Sequence, residues 1–475
     1  PTYWKYGRQL SGSGWQWPVD PPFGLIGQML TLMLGPGAAS GSALQTSAFD
    51  VLNEPPRDPL QYLYGDLVLD RRLRELVKAA FGYGVVLNRY AGSTHTMHVG
   101  EPPPAFTTDG PPPADYLEAM RQMPLLRDQG DGVKNFVGLI LNIVAAPFFY
   151  LLIDEPDLYL HPPQAELIGR LIGTLKRPET QVFLATHSAD LLRGLISTSS
   201  VPTTVLRLDR RSGQSTCSQL AADDVKVLWA DPLLRYSSIL QGVFHSGAVL
   251  CESDSDCRFY SSVLDVVAEG LNTIPDVLFT HCGGKHRLRM AVSALRAVGV
   301  PVAVIADFDL LQDRNVLQPL IEIMGGVWSE FEKSWAIVKS GVESLANNPS
   351  TSYVRETVLK NLASIGSDRL QPKDEEILKQ SFKTESGWAA AKRTGLSGLP
   401  AGDSSAAGIS LLDRLGTIGI FVVPIGELER FVPQIGNKGP QWISDVHAAG
   451  LHVQAATGEA GPFVARVWRY TQAGH

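Results

Sequence analysis

The stretch Phe148-Phe149-Tyr150-Leu151-Leu152-Ile153-Asp154-Glu155-Pro156 is an apolar run that ends in two adjacent acids. Its length and composition predict a strand over 148–153, buried on both faces of a parallel sheet. The C-terminal end of such a strand opens onto the crevice where α/β sheets bind ligands. Asp154 is then placed to hold Mg²⁺, and Glu155 to polarise an attacking water. Phe183-Leu184-Ala185-Thr186-His187-Ser188 reads as another buried strand, ending in a His that can sense a γ-phosphate. Upstream, Gly130-Asp131-Gly132 stands just before a helix, whose first N–H groups can receive an anion. The plain alternatives are a solvated acidic turn for the carboxylates and a capping or core role for His187.

A second set of acids follows the same logic. Ala248-Val249-Leu250-Cys251 is a strand that runs into Glu252, Asp254 and Asp256. Val302-Ala303-Val304-Ile305-Ala306 is another, ending in Asp307-Phe308-Asp309. In a parallel sheet both ends lie at one edge, so Glu252, Asp307 and Asp309 can converge. Packed carboxylates repel one another unless a cation neutralises them, and hard oxygen ligands select Mg²⁺ or Mn²⁺. Independent solvated turn acids are the alternative. Lys285, His286, Arg287 and Arg289 put positive charge at a following helix start. A DNA phosphate can dock on Lys285 and Arg287 there, although a solvated helix face explains the four as well. His95 and His98 are a poor metal pair in a strand, and Cys251 and Cys257 read as small buried side chains.

The elements that must position these groups follow an α/β rhythm. Helix 132–146 leads to strand 148–153, helix 163–176, strand 181–185 and helix 188–196. A strand pair is expected near 203–208 and 215–219. A second unit runs through strand 247–251, helix 255–268, strand 276–280, helix 285–298 and strand 301–306. Residues 316–395 read as a polar helical insertion, after which strand 419–423 returns to the sheet. Residues 1–65 are rich in Gly and Pro, and their elements stay unplaced.

Composition narrows the classes. At 475 residues, the usual domain size gives a prior of about three domains. Hydrophobic residues at 44% and charged residues at 19% argue for a globular chain rather than disorder or coiled coil. The net charge of −7 excludes a uniformly basic nucleic-acid binder but leaves room for a local basic groove. Four cysteines without CxxC spacing suit a reducing compartment, here cytoplasmic, and argue against a zinc ribbon. Two uncharged stretches invite a membrane reading: Pro21–Phe49 holds only a short apolar core, Phe23 to Leu34, before turning to Gly, Ser and Thr, and 135–153 is divided by Pro147 into a buried helix and a buried strand, so no membrane span is read.

The string IDEPDLYLHP (153–162) with ATHS (185–188) resembles the ABC-type ATPase heads of the RecF, SMC and OLD (overcoming lysogenization defect) group. The resemblance makes Asp154 and Glu155 the Walker B pair and His187 the switch histidine. Gly130-Asp131-Gly132 falls where the signature loop lies, departing from its common Ser-Gly-Gly form. No GxxxxGK[ST] loop occurs anywhere, and Gly35-Pro36-Gly37 has no Lys to replace it. Since the family carries that loop near its N-terminus, the expectation is an N-terminally truncated head that binds ATP weakly. Glu252 with Asp307-x-Asp309 resembles a Toprim domain, and Glu252-x-x-x-Asp256 resembles the OLD form of it, which adds Asp256 as a ligand. Ser253 replaces the Gly usual after the Glu. Pro424-Ile425-Gly426-Glu427-Leu428-Glu429 resembles the closing acidic element of the same group, where Glu427 or, by preference, Glu429 serves a second metal.

The expected fold class is therefore α/β: an incomplete parallel-sheet ABC-type ATPase domain followed by a Toprim α/β domain with a helical insertion. The expected boundaries are 1–206, a connector at 207–245, and 246–475. The resemblance, which covers about 115–310 and 417–431, implies an ATP-regulated, Mg²⁺- or Mn²⁺-dependent DNA endonuclease. Its heads form a homodimer or higher homo-oligomer, and some members of the group act in phage defence. The alternative is a RecF- or SMC-like ATPase without nuclease activity, whose Toprim unit only binds. A primase lacks its zinc module here, and no Tyr stands out as a topoisomerase nucleophile.

Overall fold

The computed structural model describes residues 30–106, 111–145, 148–198, 201–211, 213–223, 225–226, 238–345, 351–365, 371, 374–376, 378 and 386–473, with 3–5 and 8–10. Readings that fall on 11–29, on 227–237 and on most of 366–385 lie outside the described residues: the start of the first apolar stretch, the end of the connector, and part of the insertion. The chain divides into two compact units. One comprises Pro1–Thr204 with Ala221–Ala230, the other Val205–Leu220 with Asp231–His475.

In the first unit, β1 (Tyr3–Lys5) and β2 (Arg8–Leu10) form an antiparallel ribbon. Strand β3 (Thr31–Leu34) is followed by an antiparallel sheet of β4 (Gln45–Ser47), β5 (Val85–Leu87) and β6 (Thr94–Val99). Strands β7 (Tyr150–Asp154) and β8 (Gln181–Ala185) join β3 in a parallel sheet of order β3-β7-β8. The helix Asp131–Ala145 is apolar on most of its surface, and Phe136, Val137, Leu139, Ile140 and Leu141 are all buried. That burial explains why 135–153 approaches a membrane span in apolarity. Among the described residues no helix is long and apolar enough to cross a membrane.

One expectation is corrected here. The strands ending in Asp154 and at Ala185 are not buried on both faces. Leu34, Leu151 and Ile153 face the helices of the core, whereas Met33 (71%), Tyr150 (43%) and Phe183 (49%) are exposed on the opposite face. The register places Met33, Leu152 and Phe183 in one row. An apolar run thus encodes a strand without fixing how many of its faces are covered.

The second unit opens with the antiparallel pair β9 (Val205–Arg211) and β10 (Gln214–Leu220). Arg207 ties this pair to its unit by donating to the carbonyls of Val243, His245 and Gly299. Then β11 (Ala248–Cys251), β12 (Leu278–His281), β13 (Val302–Ala306) and β14 (Ile420–Val422) form a wholly parallel sheet of order β12-β11-β13-β14. Every residue of β11, β13 and β14 is buried, as continuous Val/Ile/Ala runs demand. Helix Asp254–Glu269 lays Phe259, Tyr260, Val263 and Leu264 into a core shared with Trp442, Val446, Val464 and Val467 of the C-terminal helices.

The expected polar insertion is also more than that. Trp328, Phe331, Trp335, Val338, Val342 and Trp388 are buried, and Trp335 Nε1 donates to the Leu311 carbonyl at 2.8 Å. Charged residues occupy the outer faces of these amphipathic helices, so the composition reads polar while the inner face is a core.

Candidate functional site

Each unit carries an acidic strand end, and each is built differently. In the first, β7 delivers Asp154 to an exposed position. Glu155 and Tyr159 then adopt positive φ, 47° and 66°, a conformation that non-glycine residues hold only when their surroundings impose it. The surroundings are specific. The Glu155 amide donates to Ala185 O at 3.0 Å, which fixes the turn to β8. Asn135 Nδ2 donates to the carbonyls of Pro156 (3.3 Å) and Leu158 (3.2 Å). Thr186 Oγ1 donates to Asp157 Oδ1 at 2.7 Å. Gly132 lets the helix start press on this loop, because a Cβ there would lie 2.5 Å from Tyr159 O.

The result is a shelf on which Asp154, Glu155 and His187 share one sheet edge. His187 Nδ1 lies 3.8 Å from Glu155 Oε1, and its side chain is 77% exposed. Ser188 caps the helix that follows by accepting from the Leu191 amide at 3.2 Å. Asp131 is engaged by Lys134 at 2.7 Å, so in Gly130-Asp131-Gly132 the carboxylate is partnered within its own helix. The structure adds a neighbour that sequence reasoning left unplaced: β3 brings Gly35-Pro36-Gly37 to the same edge, with Gly37 beside Leu158 and Tyr159.

In the second unit, Glu252 follows β11, and Asp307 and Asp309 follow β13. Each offers one carboxylate oxygen, and these oxygens all lie within 4.8 Å of one another. Glu252 Oε1 accepts from the Asp307 amide at 3.2 Å. Burial, then the Asp307 and Asp309 charges, push Glu252 up to about 7. Burial pushes Asp307 up to about 6 although the Lys392 ammonium opposes it. Asp309 Oδ1 is buried without a hydrogen-bond partner. Hard carboxylate donors, with the proton affinity of Glu252 and Asp307 raised and one Asp309 oxygen unsatisfied, are the donor set expected of a divalent-cation site.

The other expected ligands stand outside that trio. Asp256 is the third residue of helix Asp254–Glu269, and its Oδ2 accepts from the amide (2.8 Å) and hydroxyl (2.6 Å) of Ser253. Ser253 itself has φ −136°, so the position has no need of glycine and instead caps the helix. Burial holds Asp256 above the ordinary carboxylate range, with Glu429 close enough to add to the effect. Glu427 is 4% exposed, and both its oxygens accept from Lys438, at 2.8 and 2.7 Å. That clamp leaves Glu429, which accepts from the Gly439 amide at 3.4 Å, as the available member of the pair. Lys285 does not face outward as a phosphate dock: its Nζ donates to Asp309 Oδ2 (2.8 Å) and O (3.1 Å). Arg287 is exposed and makes no ion pair among the described residues.

Sequence reasoning missed Lys392. It comes from helix Gly387–Thr394, inside the region read as an insertion, and its Nζ lies 2.9 Å from Asp307 Oδ2 and 3.7 Å from Asp309 Oδ1. The Asp307 charge raises its proton affinity despite partial burial. Close backbone packing sets its place, since a Cβ on Gly426 would lie 2.2 Å from Lys392 O. Nothing in the string WAAAKRT signals this. His95 and His98 are each partnered, His95 with Asn88 O and His98 with Thr96 and Met123 O.

One comparison with known proteins falls within the first unit. Residues 121–193 match the family described as "AAA domain, putative AbiEii toxin, Type IV TA system". The matched segment contains Gly130-Asp131-Gly132, Asp154, Glu155 and His187. The Old nuclease of Escherichia phage P2 is 22% identical over 170 residues, 34% of this chain and 28% of that protein. The match therefore spans less than a third of the relative's length. A solved structure described as "Structural biochemistry of ATP-driven dimerization and DNA stimulated activation of SMC ATPases" is 14% identical, with a TM-score of 0.24 over 36% of this chain and 93% of that one.

Proposed function

We propose that this chain, which resembles the OLD family in its motifs and in its similarity to the phage P2 Old nuclease, belongs to an ATP-regulated, metal-dependent DNA endonuclease. The observation that carries the reading is the convergence of Glu252, Asp307 and Asp309 at one edge of a buried parallel sheet. These residues would hold Mg²⁺ or Mn²⁺, and Asp256 with Glu429 would supply a second position. A cation bound there provides Lewis-acid polarisation of a phosphoryl oxygen and an acidified water. The protein's own groups do the rest. Glu252, by accepting from the Asp307 amide, fixes the spacing of the two strand ends. Lys285 and Lys392 offset part of the carboxylate charge, and Lys392, about a third exposed, stands at the mouth where a phosphate would enter.

In the first unit Asp154, Glu155 and His187 would face the γ-phosphate side of ATP. Glu155 orients a water and His187 reports the phosphate through its contact with Glu155. The phosphate-wrapping loop is not among the 475 residues, so these groups form one wall of a nucleotide site. Homodimerisation of ATPase heads and control of the nuclease by ATP belong to this proposal.

Incubating the chain with supercoiled plasmid and Mn²⁺ or Mg²⁺, beside Asp307→Ala, tests it. Nicking that needs metal and Asp307 is expected. A chain that binds Mn²⁺ through these carboxylates yet never cuts, with or without ATP, would leave the binding-only ATPase instead.

A further inference from the structure

Helix Asp254–Glu269 carries one polar group that its core leaves unanswered. Tyr260 is 0% exposed, and among the described residues its hydroxyl has no hydrogen-bond partner. Its ring is held on two sides. Phe431 meets it edge-on with centroids 6.3 Å apart, and Phe463 lies against it at 6.0 Å. A phenylalanine would satisfy the same packing without an orphaned donor, so the hydroxyl calls for an account of its own.

Position supplies one. Tyr260 stands one helical turn after Asp256, at the i+4 position on the same face. A long side chain on a helix leans back toward the N-terminus, over its i−4 neighbour. Its ring partner Phe431 comes two residues after Glu429, in the same short helix Leu428–Phe431. The phenol is thus anchored to both segments that carry the second cation position read above. Asp256 Oδ2 accepts from the amide and hydroxyl of Ser253. Turning toward Glu429 to ligate a cation gives up those two donors, and a carboxylate drawn inward needs a replacement. We propose that Tyr260 is a positioning residue of this site, whose hydroxyl donates to the Asp256 carboxylate once that group leaves its helix cap for a cation; the role rests on the two-position reading above. Burial first, and then the Asp256 carboxylate, hold the phenol well above its ordinary value, so it stays a protonated donor at every working pH.

The test titrates the full chain with Mn²⁺ alone and counts the bound ions by electron paramagnetic resonance of the unbound ones. Tyr260→Phe removes the hydroxyl and keeps the ring, and Asp256→Asn marks which ion belongs to the second position. The parent is expected to hold two ions, and Asp256→Asn to lose one of them. Tyr260→Phe should bind that same ion about tenfold less tightly, the worth of one hydrogen bond to a charged group. The ion on Glu252, Asp307 and Asp309 should keep its affinity, which makes it an internal control for folding. Two unchanged affinities in Tyr260→Phe, with Asp256→Asn losing its ion, overturn the role of Tyr260 alone. Weakening of both ions alike makes the hydroxyl a structural group and overturns it as well. A parent with one ion, or an Asp256→Asn chain that keeps two, overturns the second cation position and the role of Tyr260 with it.

Discussion

The two acidic strand ends look alike as strings and differ as sites. Asp154 and Glu155 end a strand with one open face, and both reach solvent, Glu155 with a side chain 39% exposed. Glu252 and Asp307 end strands that are buried throughout, and they hold their protons far more tightly than free carboxyls. Charge balance follows the same division. The second unit supplies its own cations, Lys285 and Lys392, within contact of the trio. Among the described residues, the first unit offers Asp154 and Glu155 only the exposed His187, at 3.8 Å from Glu155. A buried site has to be electrostatically complete within its own unit, whereas a solvent-facing one can wait for a ligand or another surface to complete it.

The largest expected effect breaks this contrast at its centre. Asp307→Ala should abolish metal-dependent nicking, a loss of at least about a hundredfold, since it removes a ligand and part of the buried cluster. Glu155→Gln should leave any ATP-independent nicking intact and abolish only what ATP adds. Plasmid relaxation with and without ATP reads both. Equal loss in the two variants would mean that the units cannot be treated as separable sites.

Proton affinity gives the next test. A carboxyl whose affinity is raised on folding contributes stability that is present below its unfolded value and lost as pH climbs through its folded one. Glu252 at about 7 and Asp307 at about 6, against ordinary values of 4.5 and 3.8, place that loss between about pH 4 and pH 7. The metal-free second unit should melt at progressively lower temperature as pH rises across that window. Mn²⁺ must displace these protons, so its stabilising shift should be several degrees larger at pH 8 than at pH 6. Calorimetry at the two pH values, with and without Mn²⁺, measures it. A Mn²⁺ shift independent of pH would remove the trio as the binding site.

Lys392→Met sharpens the same point. Without metal it leaves Asp307 short of its counter-charge and should cost about 2 kcal/mol, less than the ~3–5 of a fully buried pair because Lys392 is a third exposed. With Mn²⁺ present the cost should shrink, because the cation takes over the same carboxylates. Denaturant unfolding in both conditions is the measurement, and an equal cost in each would make Lys392 a packing residue only.

What the sequence made legible is the period and the endings. Runs such as VAVIA followed by DFD are strands with acids at one edge, whatever surrounds them, and the trio follows from parallel pairing. Lys392 was hidden because its place depends on how a distant helix packs against Gly426, and no local pattern encodes that distance. The clamp on Glu427 was hidden in the same way, by Lys438 arriving from a later turn. Strand β3 escaped because three apolar residues after Thr31, beside Gly-Pro-Gly, give too short a period to read. The open face of β7 escaped because apolarity reports that a strand is apolar, and only neighbouring elements decide whether both faces are covered.

The smallest expected effect compares the serines that follow each site. Ser188 and Ser253 both cap a helix, yet Ser188 accepts one amide while Ser253 forms a reciprocal box with Asp256. Ser188→Ala should cost about 1 kcal/mol, the usual value of a lone cap. Ser253→Ala should cost somewhat more, since it also takes one of two donors from the Asp256 oxygen. It should additionally change Mn²⁺ binding, because a carboxylate released from its cap is free to turn toward Glu429. Thermal unfolding with and without Mn²⁺ separates the two. Identical, metal-independent costs would mean that Asp256 serves the helix alone, and that the second unit's self-sufficiency ends at Glu252, Asp307 and Asp309.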